Sequence, residues 1–255
     1  MSEPQADDPG YRIVRGLIPP HEIASMKAAF SGLVTTARHL ATSTDHGGAR
    51  FVLDADPFRL HRVVWCGGAS PVLARYGDDS RFTGLAAEVL GGPDLVQLIQ
   101  QAHFKLPGDG VDFAWHQDAS NRRYGSELWT DVDGRGSFVQ IALAIDAMGA
   151  HNGGLQVIPG SQKLGFIADP ETGALPPSAV DEARAITPEL QPGDALVFGP
   201  FLIHGSPPNR SDQPRRLFLQ GYALPGANRR VYPGSGTGVP RRWRGPPERG
   251  TLKAT

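Results

Sequence analysis

The chain of 255 residues has one cysteine, Cys66, so no disulfide can form within it and a reducing compartment suits it. Lysine is scarce: Lys27, Lys105, Lys163 and Lys253 stand against a large excess of arginine, which reads as compositional bias. Charge of either sign is not in excess. A net charge of −1 leaves no global field for nucleic acid or an anionic membrane surface, and neither partner is expected. No stretch approaches the ~20 apolar residues of a membrane helix. The start "MSEPQADDPG" is acidic and polar, unlike a secretory signal, so a cytoplasmic location is expected. No repeat of solenoid period is visible.

What is present is enough chain for a large core without a structural metal. Residues 1–255 read as a single catalytic domain, with 1–10 and 226–255 expected as loop or flexible chain. Pro19-Pro20 suit a helix start, and Ile23, Met26, Phe30, Leu33, Ala37 and Leu40 recur at three- and four-residue spacing. Shorter helices are expected at Ser70–Tyr76, with a serine cap, and at Ser80–Leu90, stopped by Gly91-Gly92. From residue 94 the pattern changes to short β segments divided by "PGDG", "HNGG" and "QPGD". Helices followed by many strands predict a mainly β fold with flanking α-helices. Its core, over 94–224, is expected as a double-stranded β-helix, the jelly-roll or cupin-like arrangement. Gly165–Leu190 reads as a long insertion with a short helix near Ala179–Ala185.

In "FAWHQDAS" an imidazole and a carboxylate, His116 and Asp118, share one face of a strand running into a turn. Alone, this pair is weak and fits a solvated strand end. Downstream, an apolar strand in "LVFGPFLIHGSPPNRS" ends on His204, a costly place for an imidazole unless its nitrogens are satisfied. A core histidine bonded to a carbonyl is the plain alternative. Two histidines and a carboxylate also form the facial triad of non-haem Fe(II), which leaves open positions for co-substrate and O2. Arg215, at the start of the next strand, would need an anionic partner if buried, and the far carboxylate of a dicarboxylate fits its planar fork. Ser206 could donate to the same group. Arg216 beside it reads as a surface residue.

Taken in order, "YRIVRGLIPPHEI", "KLPGDG", "WHQDAS", "HNGGLQVIPGSQKLG", "LQPGDALVFGPFLIHGSPPNRS" and "RRLFLQGYA" resemble the phytanoyl-CoA dioxygenase family of Fe(II)/2-oxoglutarate-dependent oxygenases. The resemblance covers roughly residues 10–224. It implies His116, Asp118 and His204 as iron ligands and catalytic residues, and Arg215 as the clamp on 2-oxoglutarate, with Ser206 assisting. Gln100 is the implied polar contact to the co-substrate, with Gln101 or His103 one register step away. Asn152, Gly153 and Gly154 read as structural. Ala142 stands where the family often carries tryptophan, a departure that widens the pocket. Related halogenases carry a small residue in place of Asp118, so the aspartate argues against halogenation.

The implied reaction couples Fe(II), 2-oxoglutarate and O2 to attack on an unactivated C–H bond of a small organic substrate. A bacterial secondary metabolite, as in antibiotic biosynthesis, is the expected substrate and hydroxylation the default outcome. Epimerisation, desaturation and cyclisation are alternatives on the same chemistry. A cupin-like enzyme without 2-oxoglutarate and a non-catalytic jelly-roll binding protein are the rival classes. Substrate contacts are expected in the loop Asn121–Asp133, from Arg122, Tyr124 and Trp129, while Trp65 and Phe201 read as core.

Overall fold

Strand β1 (Tyr11–Val14) leads into helix α1 (Pro20–Ala37) in the computed structural model, which describes residues 8–232 and 236–245. The proline pair opens α1 as expected, and Ile23, Met26, Phe30, Leu33 and Ala37 form its buried face. The four larger of these side chains each contribute about 1.5–3 kcal/mol on full burial. Next come β2 (Thr44–His46), β3 (Ala49–Ala55) and β4 (Phe58–Val64), a meander with no counterpart in the strands expected from residue 94 onward. β3 alternates in burial, but its consecutive apolar residues Phe51, Val52 and Leu53 and the mixed burial of β4 hide the period-two signal in the sequence.

Two helices follow. α2 (Pro71–Ala74) starts where the Ser70 hydroxyl accepts from the Leu73 amide, and a 3₁₀ turn extends it through Gly77. α3 (Ser80–Leu90) is capped by Asp79 and ends on Gly91, whose φ of 78° is the left-handed conformation that favours glycine. The remaining elements are β5 (Asp94–Lys105), β6 (Phe113–His116), α4 (Asp118–Asn121), β7 (Phe138–Ala144), β8 (Gln156–Val157), β9 (Ala195–Phe198), β10 (His204–Ser206), β11 (Arg215–Ala223) and β12 (Val239–Arg242). Between β8 and β9, the insertion carries 3₁₀ turns at Pro177–Ala179 and Glu182–Arg184 in place of a regular helix.

Among the described residues the strands form two antiparallel sheets. The large one runs β1-β9-β7-β11-β5-β4-β3-β2, and the small one runs β6-β10-β8. β12 pairs with the start of β5, so the tail expected as loop supplies a strand at 239–242; the rest of the tail beyond 245 and residues 1–7 lie outside the described residues. Pro240 tolerates this position because β12 is an edge strand. The fold is thus mainly β with flanking helices, two sheets facing each other as a jelly roll.

Strand alternation divides the large sheet into two faces. Ala102 and Phe104 of β5, Val139, Ile141 and Leu143 of β7, and Phe218 of β11 pack against the helices in the main core. Intervening residues of the same strands look toward the small sheet, where the cavity lies. No helix among the described residues is long and apolar enough to cross a membrane.

Candidate metal centre and its cavity

His116 ends β6 and His204 begins β10, and the two residues are register partners across the small sheet. Their ring centroids stand 4.2 Å apart. Asp118 enters α4 two residues after His116, and its Oδ1 lies 3.9 Å from His116 Nε2. One ligand atom from each of the three residues lies within 4.8 Å of the others. Adjacent strands and a helix start thus bring a pair from one motif and a histidine from another to a single point.

The hydrogen bonds fix which nitrogens are available. Nδ1 of His116 lies 2.8 Å from the Ala114 carbonyl, and Nδ1 of His204 lies 3.0 Å from the Leu202 carbonyl. A carbonyl oxygen can only accept, so each Nδ1 carries the proton and each Nε2 keeps a lone pair for a metal. Burial, helped by the nearby His116, pushes His204 down to about 4, so its ring is neutral at ordinary pH. Two imidazoles that each turn Nε2 away from a carbonyl, with one carboxylate, suit Fe(II) with open positions.

The residue between the pair has a different role. Gln117 is fully buried, and its Nε2 donates to the carbonyls of Phe201 (2.7 Å) and Gly165 (2.8 Å). Its Oε1 accepts from the amides of Ile167 (3.1 Å) and Ala168 (3.4 Å). The insertion is therefore stitched to the metal motif, and its Thr172, Gly173 and Ala174 reach the cavity wall.

Arg215 is buried, and its guanidinium donates to the Gly153 carbonyl from Nε (3.1 Å) and Nη2 (2.8 Å) and to Ser206 Oγ (3.2 Å). No carboxylate lies within ion-pair distance of it among the described residues, and burial lowers it to about 9. Gly153 makes the contact possible: its φ is 70°, and an added Cβ would stand 2.6 Å from the Pro207 carbonyl oxygen. Lys105, at the end of β5, is also fully buried. Its Nζ donates to the Ser206 carbonyl (2.9 Å) and hydroxyl (2.7 Å) and lies against the Pro207 carbonyl. Burial and the adjacent Arg215 push it down to about 6. A buried arginine beside a buried lysine, with no carboxylate partner among the described residues, fits one end of a dicarboxylate. Lys105 was missed in the sequence. Its signal was a lysine closing the apolar run "AHFKL" in a chain with few lysines.

The site residues expected from sequence divide clearly. His116, Asp118, His204, Ser206, Arg215 and Arg122 all line one cavity of about 630 Å³. Gln100 does not. Its Oε1 accepts from the Gly67 amide and its Nε2 donates to the Leu73 carbonyl on the helix side of the sheet. Strand alternation gives the cavity face to Ile99, Gln101 and His103, one register step away. His103 stacks on Phe113 at 5.0 Å and donates to Gln101 Oε1 at 2.8 Å, and burial holds it well below the usual imidazole range.

Tyr124 and Trp129 also lie off this cavity. Tyr124 donates its hydroxyl to Asp131 and packs on Phe166 and Phe201, while Trp129 is buried against Phe138 with its Nε1 donating to the Gly136 carbonyl. Apolar bulk placed them in a core beside the site. Arg216, expected at the surface, is half-buried in a two-point ion pair with Asp146, at 2.7 and 2.9 Å. Ala142 does line the cavity, where its small side chain leaves room.

The chain also resembles known proteins along most of its length. The family profile described as phytanoyl-CoA dioxygenase (PhyH) matches residues 6–217. The chain is similar to an L-proline trans-4-hydroxylase of Streptomyces griseoviridis, 29% identical over 197 residues, covering 67% of this chain and 70% of that one. It is also similar to an ectoine dioxygenase of Sphingopyxis alaskensis, 28% identical over 280 aligned positions, covering 98% and 86%. Its fold matches EvdO2 of Micromonospora carbonacea var. aurantiaca, solved with 2-oxoglutarate, with a TM-score of 0.66 at 21% identity, covering 92% of this chain and 96% of that one.

Proposed function

Because the chain belongs to the phytanoyl-CoA dioxygenase family and is an Fe(II)/2-oxoglutarate-dependent dioxygenase, we propose that His116, Asp118 and His204 hold its iron. The observation that carries this reading is their convergence within 4.8 Å beside a buried arginine that lacks a carboxylate partner. When bound, iron with 2-oxoglutarate and O2 supplies the oxidant for a C–H bond. Every other contribution comes from the chain. Ala114 and Leu202 hold the two imidazoles in the ligating tautomer through their carbonyls. Arg215, Ser206 and Lys105 bind and orient the distal carboxylate of 2-oxoglutarate. Thr172–Ala174, held through Gln117, screen the cavity from water.

Residues 1–255 act as one catalytic unit in this reading, placed in the cytoplasm, and its partner is a small molecule. Two relatives named for proline and ectoine chemistry support a small substrate, and hydroxylation is the default outcome. The role fits a bacterial secondary metabolite, with epimerisation, desaturation or cyclisation as alternatives.

The test is succinate release from Fe(II) and 2-oxoglutarate across small amino-acid, terpenoid, polycyclic and acyl substrates. Product mass then separates hydroxylation, a gain of oxygen, from epimerisation, no change, and from desaturation or cyclisation, a loss of two hydrogens. Arg215→Ala is the control: unchanged 2-oxoglutarate binding in that variant would overturn the co-substrate assignment.

A further inference from the structure

The cavity has more positive charge than the iron reaction needs. Arg62, Arg122, Arg215 and Arg230 line it, and among the described residues Asp118 is the one acidic side chain in its wall. A divalent ion and a doubly charged 2-oxoglutarate cancel one another, so a cationic excess remains once both are seated. Among the described residues, none of these arginines has a carboxylate within ion-pair distance.

Arg122 is the most telling. It leaves the chain directly after α4, the helix that starts on Asp118, and its side chain is buried, with 7% residue exposure. Nη1 donates to the Tyr232 hydroxyl at 3.0 Å, and the guanidinium carbon lies 5.4 Å from the Phe138 ring centroid and 5.5 Å from that of Tyr232. Two aromatic faces hold the charge in place. Its Nε is buried without a hydrogen-bond partner among the described residues. So is the hydroxyl oxygen of Ser120, which lines the same cavity two residues earlier. A buried N–H with no acceptor costs about 1–3 kcal/mol, and more where it is charged. Such a pair of orphaned groups beside the metal motif is what an absent acceptor leaves behind. Arg230, exposed at the rim with Nη1 donating to the Asn121 carbonyl, would draw an anion inward.

We infer that the substrate is an organic anion whose oxyacid head group, a carboxylate or a phosphonate, binds Arg122 and Ser120. This rests on the iron reading above for the identity of the cavity, and it names the substrate class for that site. The planar fork of arginine suits both head groups. The head group occupies the Arg122 end, and the C–H bond to be attacked belongs to the part of the molecule that reaches toward Asp118 and the two histidines.

The experiment is binding without turnover. Protein loaded with Fe(II) and saturating 2-oxoglutarate under anaerobic conditions, so that the Arg215 pocket is filled, is titrated by calorimetry. The probes are cyclohexanecarboxylate, cyclohexylphosphonate and neutral cyclohexanecarboxamide. At least one anion should bind more tightly than the carboxamide by about tenfold or more, the size of one charge-assisted hydrogen bond. Whichever anion binds better identifies the head group. Arg122→Gln should abolish the preference, Arg122→Lys should keep part of it, and Ser120→Ala should weaken it, with 2-oxoglutarate affinity unchanged in all three. Equal binding of the carboxamide, binding of neither anion, or a preference that survives Arg122→Gln would overturn the inference. The wild-type comparison of acid with amide stands even if a variant does not fold. If wild-type protein fails to bind iron or 2-oxoglutarate, the iron reading falls, and the anion preference is judged separately on the metal-free protein.

Discussion

The side-chain nitrogen of Lys105 donates to the hydroxyl of Ser206 at 2.7 Å, joining the end of β5 to the strand that carries His204. The same hydroxyl receives Arg215 at 3.2 Å, so two basic side chains share one small oxygen. That arrangement calls for an anion.

Binding of 2-oxoglutarate should therefore take up protons. Burial lowers Lys105 from its ordinary 10.5 to about 6, so above pH 6 it is largely neutral until a carboxylate arrives and favours its charged form. Uptake should approach one proton near pH 8 and vanish near pH 5, read by calorimetry in buffers of different ionisation enthalpy. The sign for stability follows from the same shift. Between about 6 and 10.5 the unfolded chain binds a proton at Lys105 that the folded chain does not, so this residue's contribution to stability rises with pH there. Lys105→Met should raise the 2-oxoglutarate KM by about tenfold or more, with a smaller effect on kcat.

Substitution at the metal centre should separate binding from folding. His116→Ala or Asp118→Ala should lower iron affinity and turnover by more than about 100-fold, since even residues behind metal ligands can cost 10–100-fold. Both residues sit at the cavity wall, so far-ultraviolet circular dichroism should be unchanged. Full activity in either variant would refute the triad.

Gln117→Leu should act differently, as a defect of support. It removes two donated and two accepted hydrogen bonds and leaves the carbonyls of Gly165 and Phe201 and the amides of Ile167 and Ala168 unpaired. A loss of about 2–5 kcal/mol in unfolding free energy is expected. Proteolysis within residues 165–190 should speed up more than the loss of global stability explains. Equal cleavage rates in the two proteins would show that the stitch does not hold the insertion.

Neighbouring glutamines on β5 should give opposite phenotypes. Gln100→Leu should lower the melting temperature and spare substrate KM, because its amide serves Gly67 and Leu73. Gln101→Leu should leave the melting temperature close to wild type and change substrate KM, because Gln101 lines the cavity. Denaturation curves and steady-state kinetics on the two variants decide it.

The contrast marks what the sequence could disclose. His116, Asp118, His204, Ser206 and Arg215 could be proposed from their types and order alone, and the structure places all five at one cavity. Gln100 was misassigned because parity along a strand is invisible until one residue on it is anchored. Strands β2–β4 escaped because β2 is three residues long, the apolar run Phe51-Val52-Leu53 masks the alternation of β3, and β4 is loosely patterned; β12 escaped because its glycine-, proline- and arginine-rich surroundings read as loop. Tyr124 and Trp129 were drawn toward the substrate by sequence proximity to the motif, yet large rings beside a site are more often its packing. Lys105 needed the third dimension: its partners at Gly153 and Ser206 lie 48 and 101 residues away.

Strand β5 behaves as two interleaved texts, one read by the reaction chamber and the other by the helices behind it. Point changes at Ile99, Gln101 or His103 can retune chemistry while Ala102 and Phe104 keep the hydrophobic text intact. A one-residue insertion or deletion inside the strand has no such freedom. It would transpose the two texts, sending Phe104 toward the cavity and His103 into the oil. Relatives that diverge in substrate should therefore differ here by substitution, with length variation displaced to the turns on either side.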